Sequence, residues 1–206
     1  MISFSKYHGA GNDFIMIDDR RNQFDESNSS LISEMCDRHF GIGADGLMLI
    51  RNHDDHDFEM IYFNSDGNVG SMCGNGGRCI VQFAYSLGVI NDEAEFLAVD
   101  GVHNAKLIED SVVSLEMLDV HEIHNDGEGM VLDTGSPHYV REVTNLEDID
   151  IREAGRAIRY NDTYKAEGIN VNFIEYSADG LSIRTYERGV EDETLACGTG
   201  ITAAAL

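Results

Sequence analysis

Short apolar runs recur along the chain with two different periods. FEMIYF (58–63) and LSIRTYE (181–187) read as strands, as do GLMLI from Gly46 and NVNFI from Asn170. HNAKLIED and SVVSLEML, running to about residue 118, read as two strands joined by a turn. Helical spacing takes over in three places. In SSLISEMCDRHF the apolar Leu31, Ile32, Met35, Cys36 and Phe40 share one face behind a Ser cap, IREAGRAIRY is helix-like, and IVQFAYSL follows directly on SMCGNGGRC. HEIHNDGEG, polar and glycine-containing, reads as a linker.

The pattern repeats. SMCGNGGRC and TLACGTGITAAAL share a Cys-Gly-x-Gly core, and the spacing of Cys73 and Cys197 is 197 − 73 = 124. The same ungapped offset carries Tyr62 onto Tyr186, Asn12 of GAGNDFIMI onto Ser136 of DTGSPHYV, and GLMLI onto NVNFI. It also lays the first helical segment over IREAGRAIRY. A repeat of this length signals duplicated supersecondary units. The expectation is two similar α/β halves, residues 1–120 carrying Cys73 and residues 121–206 carrying Cys197. The second half stops nine residues past its cysteine, whereas the first continues through a helix and a strand pair. The second half is therefore expected to be incomplete at its C-terminus.

Composition narrows the partners. With 38 acidic against 14 basic residues the formal charge is −24, which opposes phosphate backbones and anionic membrane surfaces. Neither a nucleic-acid nor a membrane partner is expected, and a cytoplasmic location is. The four cysteines, Cys36, Cys73, Cys79 and Cys197, are scattered and form no CxxC pair, so reduced thiols are expected.

The chemistry concentrates at the two repeated cysteines. Glycines after each let a ligand approach the backbone, and the helix that follows would aim its free N–H groups at an anion. A thiol at such a helix end is expected to have a lowered pKa and to act as base or nucleophile. Cys36 and Cys79 fit buried helical faces instead. GNGGRC lacks the lysine of a phosphate loop, and no GxGxxG opens a helix, so nucleotide binding has little support. HDDHD (53–57) reads as a solvated turn and no metal site is expected. His138, in a short polar break after Pro137, could pair with a thiol for hydrolysis, but a hydrolase needs one nucleophile and this chain duplicates it. Two thiols on two matching halves suit removal of a proton from one face of a carbon and return of a proton to the other, with helix-end N–H groups holding the adjacent carboxylate. No pyridoxal phosphate, metal or other cofactor is then required.

KYHGAGNDFIMID, FGIGADGLMLI, YFNSDGNVGSMCGNGGRC, GINVNF and YERGVEDETLACGTG together resemble the diaminopimelate epimerase family. The resemblance implies an α/β (α+β) fold of two pseudo-symmetric halves, each a curled, mostly antiparallel sheet around a central helix, with the site in the cleft between them. It implies a cofactor-independent isomerase that converts LL- to meso-diaminopimelate for lysine and peptidoglycan precursors, and a homodimer. Cys73 and Cys197 would be the acid and base. Gly74, Asn75, Gly198 and Thr199 would hold the carboxylate at the reacting carbon, and Asn12, Asn64 and Asn170 would bind substrate through their amides. Glu187 with Arg188 would read the distal end of the substrate, and His138 and Glu187 would assist deprotonation. Ser136 stands where the family often has Asn in a GNPH motif, and still donates or accepts. A related racemase acting on proline or hydroxyproline, a phenazine-biosynthesis-like isomerase and a non-catalytic amino-acid-binding module are the alternatives on the same fold. The two thiols disfavour the phenazine-type isomerase.

Overall fold

A computed structural model describes residues 2–109 and 111–206. It divides into two compact units, Met1–Glu116 and Met117–Leu206. Asp110, at the turn expected between two strands, lies outside the described residues.

The first unit contains β1 (Ser5–Gly9), β2 (Asn12–Asp18), α1 (Ser29–Cys36), β3 (Gly46–Arg51), β4 (Phe58–Asn64), α2 (Gly74–Ser86), β5 (Glu93–Ala98), β6 (Gly101–Glu109) and β7 (Val112–Leu115). The seven strands form one sheet in chain order. Among the described residues only β2/β3 and β4/β5 are parallel in it. The β1–β2 hairpin turns through Ala10 and Gly11 at φ 52° and 89°, the left-handed pair that a tight two-residue hairpin needs.

Strands β2 and β3 look continuously apolar because both of their faces are covered. Ile15, Ile17, Leu47 and Leu49 point to one side, into a core with Ile32 and Cys36 of α1. Phe14, Met16, Met48 and Ile50 point to the other, into a core with Ile80, Val81, Phe83 and Ala84 of α2. Helix α2 also touches both outermost strands, β1 and β7, so the sheet curls around it. Each fully buried Ile, Leu, Met or Phe in these cores contributes about 1.5–3 kcal/mol through water exclusion.

The second unit contains β8 (Ile123–Asp126), β9 (Gly129–Asp133), β10 (Pro137–Glu142), a 3-10 turn (Leu146–Asp148), α3 (Ile151–Arg159), β11 (Asn170–Ser177), β12 (Gly180–Glu187), β13 (Asp192–Thr194) and α4 (Gly198–Ala205). Its sheet runs β13-β12-β11-β10-β9-β8, with β10/β11 parallel. Helix α3 packs on β11, β12 and β13, and α4 on β10, β11 and β12.

The repeat is visible in the ladders. His138 opposite Asn170 in β10/β11 repeats Phe14 opposite Gly46 in β2/β3 at the 124 offset. One strand departs from it. Met48 faces Tyr62, but Asn172 faces Thr185. The structural counterpart of Tyr62 is therefore Thr185, not Tyr186. A one-residue slip sends each side chain to the other face, and Tyr186 accordingly packs in the core beside α3.

Three further expectations need correction. Phe40 is not on the α1 face: the helix is capped by Asn28, not by a Ser, and stops at Cys36. The Asp37 carboxylate then accepts the His39 and Phe40 N–H groups, and this turn leaves Phe40 97% exposed. HEIHNDGEG is not a bare linker, because β8 lies within it and pairs with β9 around Gly127 at φ 65°. His138 lies not in a break but inside β10.

Candidate active site

In the first unit Cys73 is the N-cap of α2, in an extended conformation, and its sulfur accepts the Gly76 N–H at 3.4 Å. Glycines at the helix start allow close packing. A Cβ on Gly76 would fall 1.9 Å from Met48 Cε, and one on Gly77 2.8 Å from Leu115 Cδ2. They thus seat the helix on the sheet as well as leaving the backbone open. Asn12, at the start of β2, accepts from the Cys73 thiol at 3.5 Å and from Asn75 Nδ2 at 3.4 Å. Its own Nδ2 donates to Asp45 at 2.8 Å, and Asp45 is held by Arg38 at 2.5 Å. Arg78 in turn donates to Asn75 Oδ1. Asn12, Cys73, Gly74 and Asn75 are therefore brought together. Asn64 ends β4, where its N–H bonds the Asn68 carbonyl, on the turn leading toward Cys73.

In the second unit Cys197 is the N-cap of α4, followed by Gly198 and Thr199. Its sulfur lies 3.4 Å from Thr199 Oγ1, and Thr199 Oγ1 lies 2.8 Å from His138 Nε2. Cys197, Thr199 and His138 are all buried. The expected lowering of the thiol pKa is reversed here. Burial, reinforced by the nearby Glu187 carboxylate, pushes Cys197 up to about 11, and the Thr199 hydroxyl offsets only part of this. Desolvation of a thiolate outweighs the helix end. His138 is driven the other way, down to about 3, by burial and by the positive Arg188. It is a neutral imidazole at physiological pH.

Asn170, the first residue of β11, uses three of its four hydrogen-bonding positions internally. Nδ2 donates to Ser136 Oγ at 2.9 Å and to the Pro137 carbonyl at 3.1 Å, and Oδ1 accepts the Arg188 N–H at 2.8 Å. It ties the start of β10 to the end of β12, and one Oδ1 lone pair remains beyond these bonds. Ser136 is thus buried against Asn170. Glu187 closes β12. Arg188 follows it, half-buried, with Nη1 donating to the Glu167 carbonyl at 3.1 Å. Burial and the neighbouring Arg159 hold its pKa below the ordinary arginine value. A Cβ on Gly168 would fall within 2.9 Å of both guanidinium-bearing side chains.

Residues 4–117 and 130–206 match the sequence profile of diaminopimelate epimerase. The chain belongs to the diaminopimelate epimerase family. The diaminopimelate epimerase of Flavobacterium psychrophilum is 52% identical over 202 residues, which cover 98% of this chain and 79% of that protein. That of Aquifex aeolicus is 41% identical over 224 residues, covering 100% of this chain and 80% of its own. Among solved structures, a hydroxyproline epimerase from Agrobacterium vitis with bound trans-4-hydroxy-L-proline matches with a TM-score of 0.71 at 16% identity, over 98% of this chain and 75% of that one. A Bacillus anthracis PhzF-family phenazine biosynthesis protein matches equally, 0.71 at 11% identity, over 99% and 77%. At these identities the two structures show a shared fold.

This diaminopimelate epimerase family member also carries site residues that its motifs did not single out. Asp45 orients Asn12, while Asn172 and Thr185 lie behind His138. Strand alternation puts Asn172 on the same face as Asn170, a signal available in GINVNF. Thr185 was hidden by the one-residue slip. Among the described residues no group of three or more His, Cys, Asp and Glu is placed to hold a metal ion, and no helix is long and apolar enough to cross a membrane.

Proposed function

We propose that the chain interconverts LL- and meso-diaminopimelate by a two-thiol proton transfer at the α-carbon, without a cofactor, in the supply of lysine and peptidoglycan precursors. The observation that carries this reading is the duplicated cysteine at a helix start, Cys73 on α2 and Cys197 on α4, in a chain of this family. One cysteine as thiolate removes the α-proton: the C–H bond breaks and an S–H bond forms. The electron pair spreads into the adjacent carboxylate, which suits the helix-start N–H groups at Gly74 and Asn75 and those at Gly198 and Thr199. The other cysteine then gives its proton to the opposite face, and the two sulfurs have exchanged protonation states. Substrate amide contacts fall to Asn12, Asn64 and the free lone pair of Asn170, with Ser136 beside it.

Arg188 suits the distal carboxylate, because a half-buried guanidinium beside Arg159 gains from an anion. Glu187 suits the distal ammonium and lies close enough to Cys197 to disfavour a second negative charge there. His138 acts on Cys197 through Thr199. We infer a cytoplasmic homodimer from the family resemblance.

Incubation with LL-diaminopimelate in deuterated water tests the reading. Deuterium is expected at one α-carbon, and Cys73→Ala or Cys197→Ala is expected to lower epimerisation roughly a hundred- to ten-thousandfold, the scale for loss of a positioned acid or base. Undiminished epimerisation by either variant would defeat the two-thiol scheme. Exchange into proline or hydroxyproline with none into diaminopimelate would favour the related racemase.

A further inference from the structure

Behind Cys197 runs a buried chain of five polar side chains, Cys197, Thr199, His138, Asn172 and Thr185, none more than 8% exposed. Its direction is set from the far end. Asn172 Nδ2 faces the Tyr139 carbonyl at 3.1 Å, which can only accept, so the atom that also meets His138 Nδ1 at 3.0 Å is the donating amide nitrogen. Thr185 completes the assignment by donating its hydroxyl to Asn172 Oδ1 at 2.9 Å. An imidazole nitrogen that accepts carries no proton, so the neutral His138 bears its proton on Nε2 and donates it to Thr199 Oγ1 at 2.8 Å. The Thr199 hydroxyl hydrogen is then free to point at the Cys197 sulfur, 3.4 Å away.

In the other unit two of the three matching positions are apolar. The ladder equivalents of His138, Asn172 and Thr185 are Phe14, Met48 and Tyr62. Phe14 and Met48 are core residues against α2, and the Phe14 and Tyr62 rings meet edge-on at 6.0 Å. The contact under the helix start is repeated in changed chemistry: a Cβ on Gly76 would strike Met48 Cε, and one on Gly200 would strike Asn172 Oδ1 at 2.5 Å. Apolar Phe14 and Met48 in one unit against hydrogen-bonded His138 and Asn172 in the other, at matched positions, are a difference that packing alone does not demand, since buried polar groups cost stability unless all are satisfied.

We propose that Asn172, anchored by Thr185, is a positioning residue that fixes His138 as the Nε2–H tautomer and so turns the Thr199 hydroxyl onto the Cys197 sulfur, supporting the thiolate in this unit. This rests on the two-thiol reading for its catalytic meaning. The relay itself is a property of the folded chain. The charged groups that act on it are Glu187, which disfavours a thiolate at Cys197, and Arg188, which disfavours a charged His138.

The test combines two readouts that need no substrate with one that does. Nitrogen NMR of histidine-labelled protein, with His138 assigned from His138→Gln, is expected to show a protonated Nε2 and a bare Nδ1 in the wild type. A protonated Nδ1 in the wild type would overturn the proposal. Iodoacetamide labelling across pH, read for each cysteine by mass spectrometry, is expected to move the Cys197 profile upward by about one pH unit in Asn172→Leu, the scale of a lost hydrogen bond to a charged group. A smaller upward shift is expected in Thr185→Val, with Cys73 unmoved in both. Equal movement of both thiols, or none, would sink it. In the epimerase assay kcat is expected to fall roughly ten- to hundredfold in Asn172→Leu with KM little changed. If diaminopimelate is not a substrate, the tautomer and labelling results still stand or fall by themselves.

Discussion

His138 shows what one buried side chain can demand. In the folded chain it stays neutral down to about pH 3, whereas an ordinary histidine titrates near 6.5. Below that ordinary value the unfolded chain binds a proton that the folded chain refuses. The stability this residue provides is therefore fully present above about pH 6.5 and is lost as pH falls toward 3. Urea unfolding should show the wild type losing about 2 kcal/mol more than His138→Gln between pH 6.5 and 5. Equal losses would mean that His138 is charged in the native state. The motifs pointed to His138, Cys197 and Thr199 but not to how they connect. Residue types alone could not disclose that burial raises the Cys197 thiol, because desolvation belongs to the surroundings. Asn170 carries the same lesson, since most of its amide is spent on Ser136, Pro137 and Arg188.

At the scale of elements the strands and helices follow local pattern, and contact between them follows shape. Helix α3 meets β12 at Gly155, where a Cβ would lie 2.4 Å from Tyr186 Cβ and 2.6 Å from its Cγ. Gly155→Ala gains about 1 kcal/mol of helix propensity. The overlap forces helix and strand apart and costs about 1–3 kcal/mol. A net loss is expected, seen as a lower urea midpoint with an unchanged slope; a raised midpoint would show that α3 has room to move. The same scale explains the departures. Helix α1 was legible as amphipathic, yet its end was set by Asp37, whose carboxylate competes for the next N–H groups and throws Phe40 outward. HEIHNDGEG was polar enough to read as a linker, and β8 forms there because β9 offers it an edge.

Across the whole molecule the charge of −24 is the dominant long-range feature. Like charges repel in the compact state more than in the expanded one, and salt screens them over about 10 Å at 0.1 M. The melting temperature is expected to rise between low salt and about 0.5 M sodium chloride, and a fall would show that the surface ion pairs outweigh the repulsion. The duplicated architecture was legible at this scale, because a repeated order of strand, turn, cysteine and helix survives in one dimension even at low identity. So was the placement of a cysteine at the start of a helix that opens on glycine, twice, for the same local reason. What the ungapped repeat got wrong was one strand. Whether Thr185 or Tyr186 stands beside Asn172 depends on a pairing register that a single residue alters, and register is settled by which faces bury against α3 and α4. The sequence by itself determined the two halves, the two thiols and the family. Only the tertiary structure decided that buried His138, Asn172 and Thr185 stand together behind Cys197, because facing and desolvation arise between segments far apart in the chain.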